Sequence, residues 1–229
     1  MDDKLALMRS LADQLNEAAR VYYTGGESLM ADAEWDTLYA RLQALERETG
    51  ETLPDSPTRR VGGEPLAAFK QHRHLSPLWS LDKVQTEDAL RQWFARAAAL
   101  GERLLMLPPL NYAVEYKYDG LTINLTYESG LLVHAATRGN GTVGEEILPQ
   151  ARTVRGVPLR IPYQGILEVH GECVMRLSTF EAYNKTAAEP LKNARNAAAG
   201  ALRNLDPAVT ASRTLDAFFY EVGTITNPP

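Results

Sequence analysis

Cysteine is nearly missing from this chain: Cys173 is the only one in 229 residues. An internal disulfide is therefore excluded, and so is a structural zinc site of the four-cysteine type. Cys173 falls in an apolar strand pattern and reads as a buried thiol rather than a nucleophile. Long apolar runs are missing too. None approaches the ~20 residues of a membrane span, and Met1-Asp2-Asp3-Lys4 does not open a secretion signal, which predicts a cytoplasmic chain with no membrane partner. Positive charge is in deficit, with 24 Lys and Arg against 29 Asp and Glu. The resulting net charge of -5 argues against a grip on nucleic acid by bulk electrostatics. Local basic groups remain: Arg138, Arg152, Arg155 and Arg160 form one, Arg195 and Arg203 another. Within them Arg160 reads as a solvated surface charge. There is no internal repeat, low-complexity segment, phosphate-loop motif or parallel βαβ rhythm.

What is present is an ordinary globular composition, 45% hydrophobic and 23% charged, which disfavours disorder, collagen and coiled coil. The length suits one or two domains. Leu5, Met8, Leu11, Leu15, Ala19 and Tyr22 recur at helical spacing until Gly25-Gly26, and a second helix, with Asp32 as its N-cap and Trp35, Leu38, Leu42 and Leu45 as its stripe, exits at Gly50. These two form a helical hairpin, and Pro54, Pro57 and Gly62-Gly63 read as a linker. A third helix, capped near Thr86, carries Leu90, Trp93, Phe94, Ala97 and Leu100 as a stripe expected to be buried. Alternation then predicts strands over 112–119, 121–127, 131–136, 167–175 and 217–222, with a turn at Glu128-Ser129-Gly130. Ser178-Thr179-Phe180-Glu181 reads as a capping box, and the Ala-rich run 193–205 as a helix ended by Pro207. The fold class is α+β.

The densest chemistry lies in Glu115-Tyr116-Lys117-Tyr118-Asp119-Gly120. In a strand, Glu115, Lys117 and Asp119 would share one face and the tyrosines the other. Acid, amine and acid in a row suit a polar cleft in which a lysine amine acts as a nucleophile with carboxylates to orient it or hold a metal ion. Spacing alone suits a solvated strand with cross-strand ion pairs equally well. Gly120 lets a ligand or another backbone come close.

The hexapeptide holds the Lys-x-Asp-Gly signature of covalent nucleotidyltransferases, and its surroundings resemble the N-terminal part of bacterial NAD-dependent DNA ligases. The resemblance is carried by Tyr22-Tyr23 followed by Asp32-Ala33-Glu34-Trp35-Asp36, then by Ser56 to Gly63 and Ser80-Leu81-Asp82. It continues through Ala136-Thr137-Arg138-Gly139-Asn140-Gly141, Leu167 to Glu172, and Ala194-Arg195-Asn196-Ala197-Ala198-Ala199-Gly200, all in the family's order. It implies a helical subdomain binding nicotinamide mononucleotide (NMN) over 1–53, a linker over 54–68 and a partial adenylation domain over 69–229. That last domain is expected to be an antiparallel-sheet nucleotidyltransferase of the ATP-grasp-like ligase kind, incomplete at its C-terminus. The chain stops at Pro229, before the family's last lysine-bearing motifs and before its OB-fold, zinc, helix-hairpin-helix and BRCT modules.

By the same resemblance, Lys117 is the nucleophile that attacks the α-phosphorus of NAD and expels NMN, with Asp119 orienting the lysine or a metal-bound water. Glu115, Glu172, Arg138, Ser80, Leu81 and Tyr220 line the nucleotide site, Tyr220 as the ring under the adenine, and Mg is the expected ion. Tyr22, Tyr23, Asp32, Trp35 and Asp36 close over NMN. Tyr23 stands where histidine is common, Trp35 where tyrosine is common and Asn140 where aspartate is usual. Plainer roles stay open: Asp32 as a cap, Trp35 and Leu81 as core, Tyr220 as ordinary packing, Glu168 as a strand-face ion-pair partner. Three functions are compatible with these residues: the adenylating segment of a ligase that seals nicked duplex DNA, an NAD- or NMN-binding module without turnover, and one half of a split ligase completed by a second chain.

Overall fold

The computed structural model describes residues 2–23, 29–60, 68–104 and 110–227. Gly25-Gly26 and Gly62-Gly63 lie outside the described residues, as do the side chains of Tyr22, Tyr23 and Asp32. The chain divides into two compact units, one made of Met1–Leu78 with Tyr118–Pro229 and the other of Trp79–Lys117.

Helices α1 (Asp2–Tyr23) and α2 (Asp32–Thr49) pair through the stripes that their spacing encodes. Met8, Leu11, Ala12, Leu15 and Leu42 are buried there, with Trp35, Leu38 and Leu45 packed against them. The N-cap of α2 is Ala31 and not Asp32, which is the first helical residue, and Ala31 makes no side-chain capping bond. After α2 the chain folds back as a 3-10 helix, Pro57–Arg60. Ser56 and Thr58 hydroxyls donate to the two oxygens of Glu46 at 2.6 and 2.7 Å. Asp55 is fully buried. Arg9 Nη1 donates to both its oxygens at 2.7 Å, and Arg160 Nε lies 3.4 Å from one of them. Arg160 is therefore a partner for a buried carboxylate rather than a solvated charge, because an unpaired Asp55 there would cost several kcal/mol.

The main sheet is antiparallel with strand order β3-β2-β5-β6, from β2 (Leu121–Glu128), β3 (Leu131–Thr137), β5 (Ile166–Val174) and β6 (Asp216–Ile225). A short sheet pairs β1 (Gln71–Arg73) with β4 (Val143–Glu145). Because side chains alternate, Ile123, Leu125 and Tyr127 enter one core with Ala135 and Cys173. That core is closed by α4 (Leu148–Ala151), α6 (Ala194–Leu202) and the loops carrying Val154, Val157, Leu159 and Leu215. Helices α5 (Leu177–Thr186) and α7 (Pro207–Ser212) complete the layer. Helix α5 starts at Leu177 with Arg176 as N-cap, so the Ser178 capping box is not used, and Pro207 opens α7 instead of ending α6. A proline tolerates the first helical turn, where its missing N–H has no partner to lose. Cys173 is fully buried, and burial first, then Asp216 and Glu172, pushes its thiol up, away from reactivity.

The opposite face of the sheet is polar, with Thr126, Asn124 and Thr122 of β2 paired to Glu168, His170 and Glu172 of β5. The residues after β1 cover it. Asn124 Nδ2 donates to His74 Nδ1 at 2.8 Å, and His74 Nε2 reaches the Arg138 carbonyl at 3.1 Å. Leu75 N–H, Ser76 N–H and the Ser76 hydroxyl converge on Glu168 at 2.7 to 3.3 Å, and His170 Nε2 joins them at 3.1 Å.

The unit Trp79–Lys117 holds α3 (Glu87–Arg103), capped by Thr86 Oγ1 accepting from Ala89 N–H at 3.2 Å. Its stripe is not buried: Leu90, Phe94 and Leu100 are exposed. Phe94 stacks edge-on against Tyr112 at 4.7 Å between centroids. The expected strand over 112–119 is absent, and those residues carry no regular secondary structure and are exposed. Alternation makes a strand only where a neighbour accepts the hydrogen bonds. Both edges of β2, which follows, are taken by β3 and β5.

Burial opposes charge on Glu168, yet the hydrogen bonds from His170, Ser76 and Leu75 hold its carboxyl down at about 2. Burial likewise opposes charge on His170, while Glu168 and then Glu221 raise it above 6.5. A depressed acid stabilises the fold above its unfolded value of 4.5 and loses that contribution as pH falls towards about 2. A raised histidine stabilises below 6.5 and loses its contribution as pH rises through the higher folded value. Melting temperature should therefore be highest in weakly acidic solution and fall on both sides. His170→Gln should flatten the alkaline limb; a wild-type melting temperature independent of pH between about 5 and about 9 would contradict this network.

Candidate functional site

At the end of the polar face, where β2 begins, the sheet holds a cavity of about 430 Å³. Gly120, Thr122, Arg138, Glu145, Glu172 and the two arginines Arg195 and Arg203 are on its wall. The volume falls in the range typical of small-molecule sites. A second cavity, about 740 Å³, runs between α1 and the 156–164 loop, and its wall holds none of the Lys-x-Asp-Gly residues.

Glu172 organises the smaller cavity. One carboxylate oxygen accepts from Gly120 N–H at 3.1 Å and the other from the Thr122 hydroxyl at 3.0 Å. A side chain at Gly120 would put its Cβ 2.0 Å from the Cys173 carbonyl oxygen, so glycine is required for the close approach of backbone expected there. Asp119 is exposed, with Arg195 Nε 3.1 Å from its carboxylate. Tyr118 lies flat on Phe218, rings 4.1 Å apart.

Arg138 leaves β3 and enters a tight turn. Gly139 takes a φ of +57°, and a Cβ there would sit 1.9 Å from the Val143 carbonyl. Asn140 Oδ1 accepts from the Thr142 and Val143 N–H groups, each at 2.9 Å. A neutral amide oxygen thus closes the turn in the manner of an aspartate. Tyr220 sits where the β5–β6 register slips between His170 and Gly171, half exposed at 49%. Burial and then the Glu172 carboxylate push its phenol up, against hydrogen bonding with Thr122. Arg203 Nε and Nη2 form a fork on Glu145 at 2.8 and 3.0 Å.

Among the expected site residues, Arg138 and Glu172 line the cavity, Asp119 pairs with its Arg195, and Tyr220 lies near its Thr122. Lys117, Glu115, Ser80 and Leu81 belong to the other unit, where all four are exposed. Trp35 packs on the hairpin core and Asp36 is exposed. Tyr22 and Tyr23 end α1 and Asp32 starts α2, with side chains outside the described residues.

The comparisons with known proteins account for both parts of the chain. Residues 66–228 match the NAD-dependent DNA ligase adenylation domain, and residues 1–62 match the DNA ligase-like N-terminal NAD+-binding domain. The chain belongs to the NAD-dependent DNA ligase family. It is 56% identical to a DNA ligase of Alkaliphilus oremlandii over 94% of this chain and 32% of that protein. It is 50% identical to a DNA ligase of Finegoldia magna, over 96% of this chain and 34% of that protein. A DNA ligase of Clostridium perfringens is 48% identical, over 96% of this chain and 34% of its own length. The chain thus spans about a third of the length of the curated relatives it matches. Among the described residues, no helix is long and apolar enough to cross a membrane.

Thr122, Glu145, Arg195 and Arg203 stand on the cavity wall without having been picked out as site residues. Arg195 and Arg203 were visible as a basic pair, and Arg195 as part of a stretch carrying the family resemblance, but nothing in the Ala-rich run between them says which side it turns to the sheet. Glu145 had no sequence signal, because its place follows from the β1–β4 pairing. The two kinds of contact on this wall differ in weight. Glu172→Ala orphans the N–H of buried Gly120 and should destabilise by about 1–3 kcal/mol in urea unfolding. Arg203→Ala removes only an exposed ion pair and should change stability by less than about 1 kcal/mol.

Proposed function

We propose that this chain is the NAD-binding and adenylating segment of a DNA ligase. The observation that carries the reading is the bond from Gly120 N–H to Glu172, which ties the last residue of the Lys-x-Asp-Gly motif to a cavity lined by three arginines. Guanidinium forks suit phosphate oxygens, and a carboxylate suits ribose hydroxyls, so the wall fits the adenylate half of NAD. Lys117 precedes Gly120 by three residues, which supports it as the nucleophile. Its Nζ attacks the α-phosphorus of NAD, the bond to the bridging oxygen breaks, NMN leaves and a lysyl-AMP phosphoramide remains. In the complete enzyme the AMP then passes to the 5′-phosphate of nicked DNA.

Asp119 is assigned to orient the lysine, Arg138 and Arg195 to hold the phosphates, Glu172 the ribose and Tyr220 the adenine. Glu115, Ser80 and Leu81 are assigned to the same nucleotide by family resemblance. Asp119 and Glu172 are carboxylates that would help hold a Mg2+ ion, which would supply charge neutralisation at the NAD phosphates. The hairpin residues Tyr22, Tyr23, Asp32, Trp35 and Asp36 are assigned to NMN, with 1–53 as the NMN-binding subdomain, 54–68 as the linker and 69–229 as the adenylation domain. Cytoplasmic location and action on nicked DNA, with or without a complementing chain, belong to the same proposal.

Intact-mass measurement after incubation with NAD and Mg2+ tests the reading. The wild-type chain should gain one AMP; Lys117→Ala should still fold, since that exposed side chain contributes little packing, but should gain none because the nucleophilic amine is gone. Lys117→Arg should also fail, because a guanidinium stays protonated. NAD should raise the melting temperature more than ATP at equal concentration; equal shifts, or an undiminished AMP gain in Lys117→Ala, would sink the assignment.

A further inference from the structure

Away from the nucleotide cavity, three side chains from three backbone segments meet: His72 of β1, His134 of β3 and Glu146 directly after β4. His72 Nδ1 and His134 Nδ1 approach the same oxygen, Glu146 Oε2, at 3.3 and 3.1 Å. One ligand atom from each of the three residues falls within 4.8 Å of the other two. In a tetrahedral zinc site, metal–ligand bonds of ~2.1 Å place neighbouring ligand atoms about 3.4 Å apart. The two measured separations are already close to that edge length.

The surroundings are those of a held site. Glu146 Oε1 accepts from Ala135 N–H at 3.2 Å and Glu146 N–H donates to the Lys70 carbonyl at 2.8 Å, which fixes both ends of the ligand. The imidazole rings lie 4.7 Å apart. A neutral imidazole is the form that ligates. His72 Nε2 is buried and makes no hydrogen bond among the described residues, so Glu146 is the polar group that orients this ring.

We infer that His72, His134 and Glu146 form a binding site for a zinc-class divalent ion, with water in the fourth position. Two imidazoles and one carboxylate favour Zn2+ over Mg2+, which prefers an all-oxygen shell. The ion would clamp the β1–β4 sheet to β3, and the neighbours of its ligands, Gln71 and Glu145, stand on the wall of the nucleotide cavity. The inference does not depend on the adenylation reading, since the three ligands take no part in that chemistry.

The test uses the untagged chain, freed of metal with a chelator and titrated with Zn2+ alone by calorimetry and native mass spectrometry. One ion per chain and a raised melting temperature are expected, both unchanged by excess Mg2+. His134→Ala removes a half-exposed side chain that the fold does not need, and Glu146→Gln removes the charge; each should weaken zinc binding by roughly hundredfold. Loading the wild-type chain with Co2+ needs no variant and should give the intense visible bands of a four-coordinate ion. No bound zinc, the weak bands of six-coordinate Co2+, or wild-type affinity in His134→Ala would overturn the site.

Discussion

The structure turns on how closely Gly120 lies against β5. Its backbone is pressed on the Cys173 carbonyl, and its N–H is held by the Glu172 carboxylate. That one contact sets where β2 starts, and β2 is paired on both sides by β3 and β5. It also sets where the motif residue Asp119 leaves the sheet, facing Arg195 across 3.1 Å. A core cysteine and a cavity acid are neighbours on one strand, so the buried face and the chemical face of β5 are aligned by the same backbone.

The polar face shows what such an arrangement costs and how it is offset. Glu168 and His170 are almost fully buried, and charges there are unfavourable unless fully hydrogen-bonded. Leu75, Ser76 and His170 donate to Glu168, and Glu221 accepts from the other nitrogen of His170. The residues after β1 therefore act as a lid that satisfies Glu168 and Asn124 Nδ2, while Asn124 Oδ1 and Thr126 Oγ1 on the same face are buried without a hydrogen bond among the described residues. Through His74 the same lid reaches the carbonyl of Arg138, a cavity residue. Glu168 is in this sense a structural neighbour of the cavity, and Glu172, four residues further along β5 on the same face, is part of its wall.

Much of this was legible in the sequence where local pattern and tertiary partner agree. The helical stripes of α1 and α2, the β2–β3 hairpin around Ser129-Gly130, and the strands β5 and β6 all have periodicities that the packing then uses. The reading failed where pattern lacks a partner. Residues 112–119 alternate as a strand would, yet pairing is a property of two segments and a single segment cannot declare it. Leu90, Phe94 and Leu100 have helical spacing, and α3 forms, but spacing does not supply the surface that buries a stripe. Asp32, Ser178 and Pro207 are boundary signals, displaced because capping depends on which residue first takes helical angles. The site divides in the same way. Motif residues such as Asp119, Arg138 and Glu172 were found by their neighbours in sequence, whereas Glu145, Thr122 and the orientation of Arg195 and Arg203 came only from the fold. Asn140 closes its turn through its side-chain oxygen, with the kind of bonds an aspartate can also make.

The most direct measurement is calorimetric titration of NAD into the wild-type chain and into Gly120→Ala, with circular dichroism to compare their secondary structure. The added methyl must push the motif off β5, since its Cβ would stand 2.0 Å from the Cys173 oxygen. The account predicts that NAD affinity falls by at least about tenfold, or ~1.4 kcal/mol, while helix and strand content is kept. Wild-type affinity in Gly120→Ala would contradict the claim that this contact builds the nucleotide site.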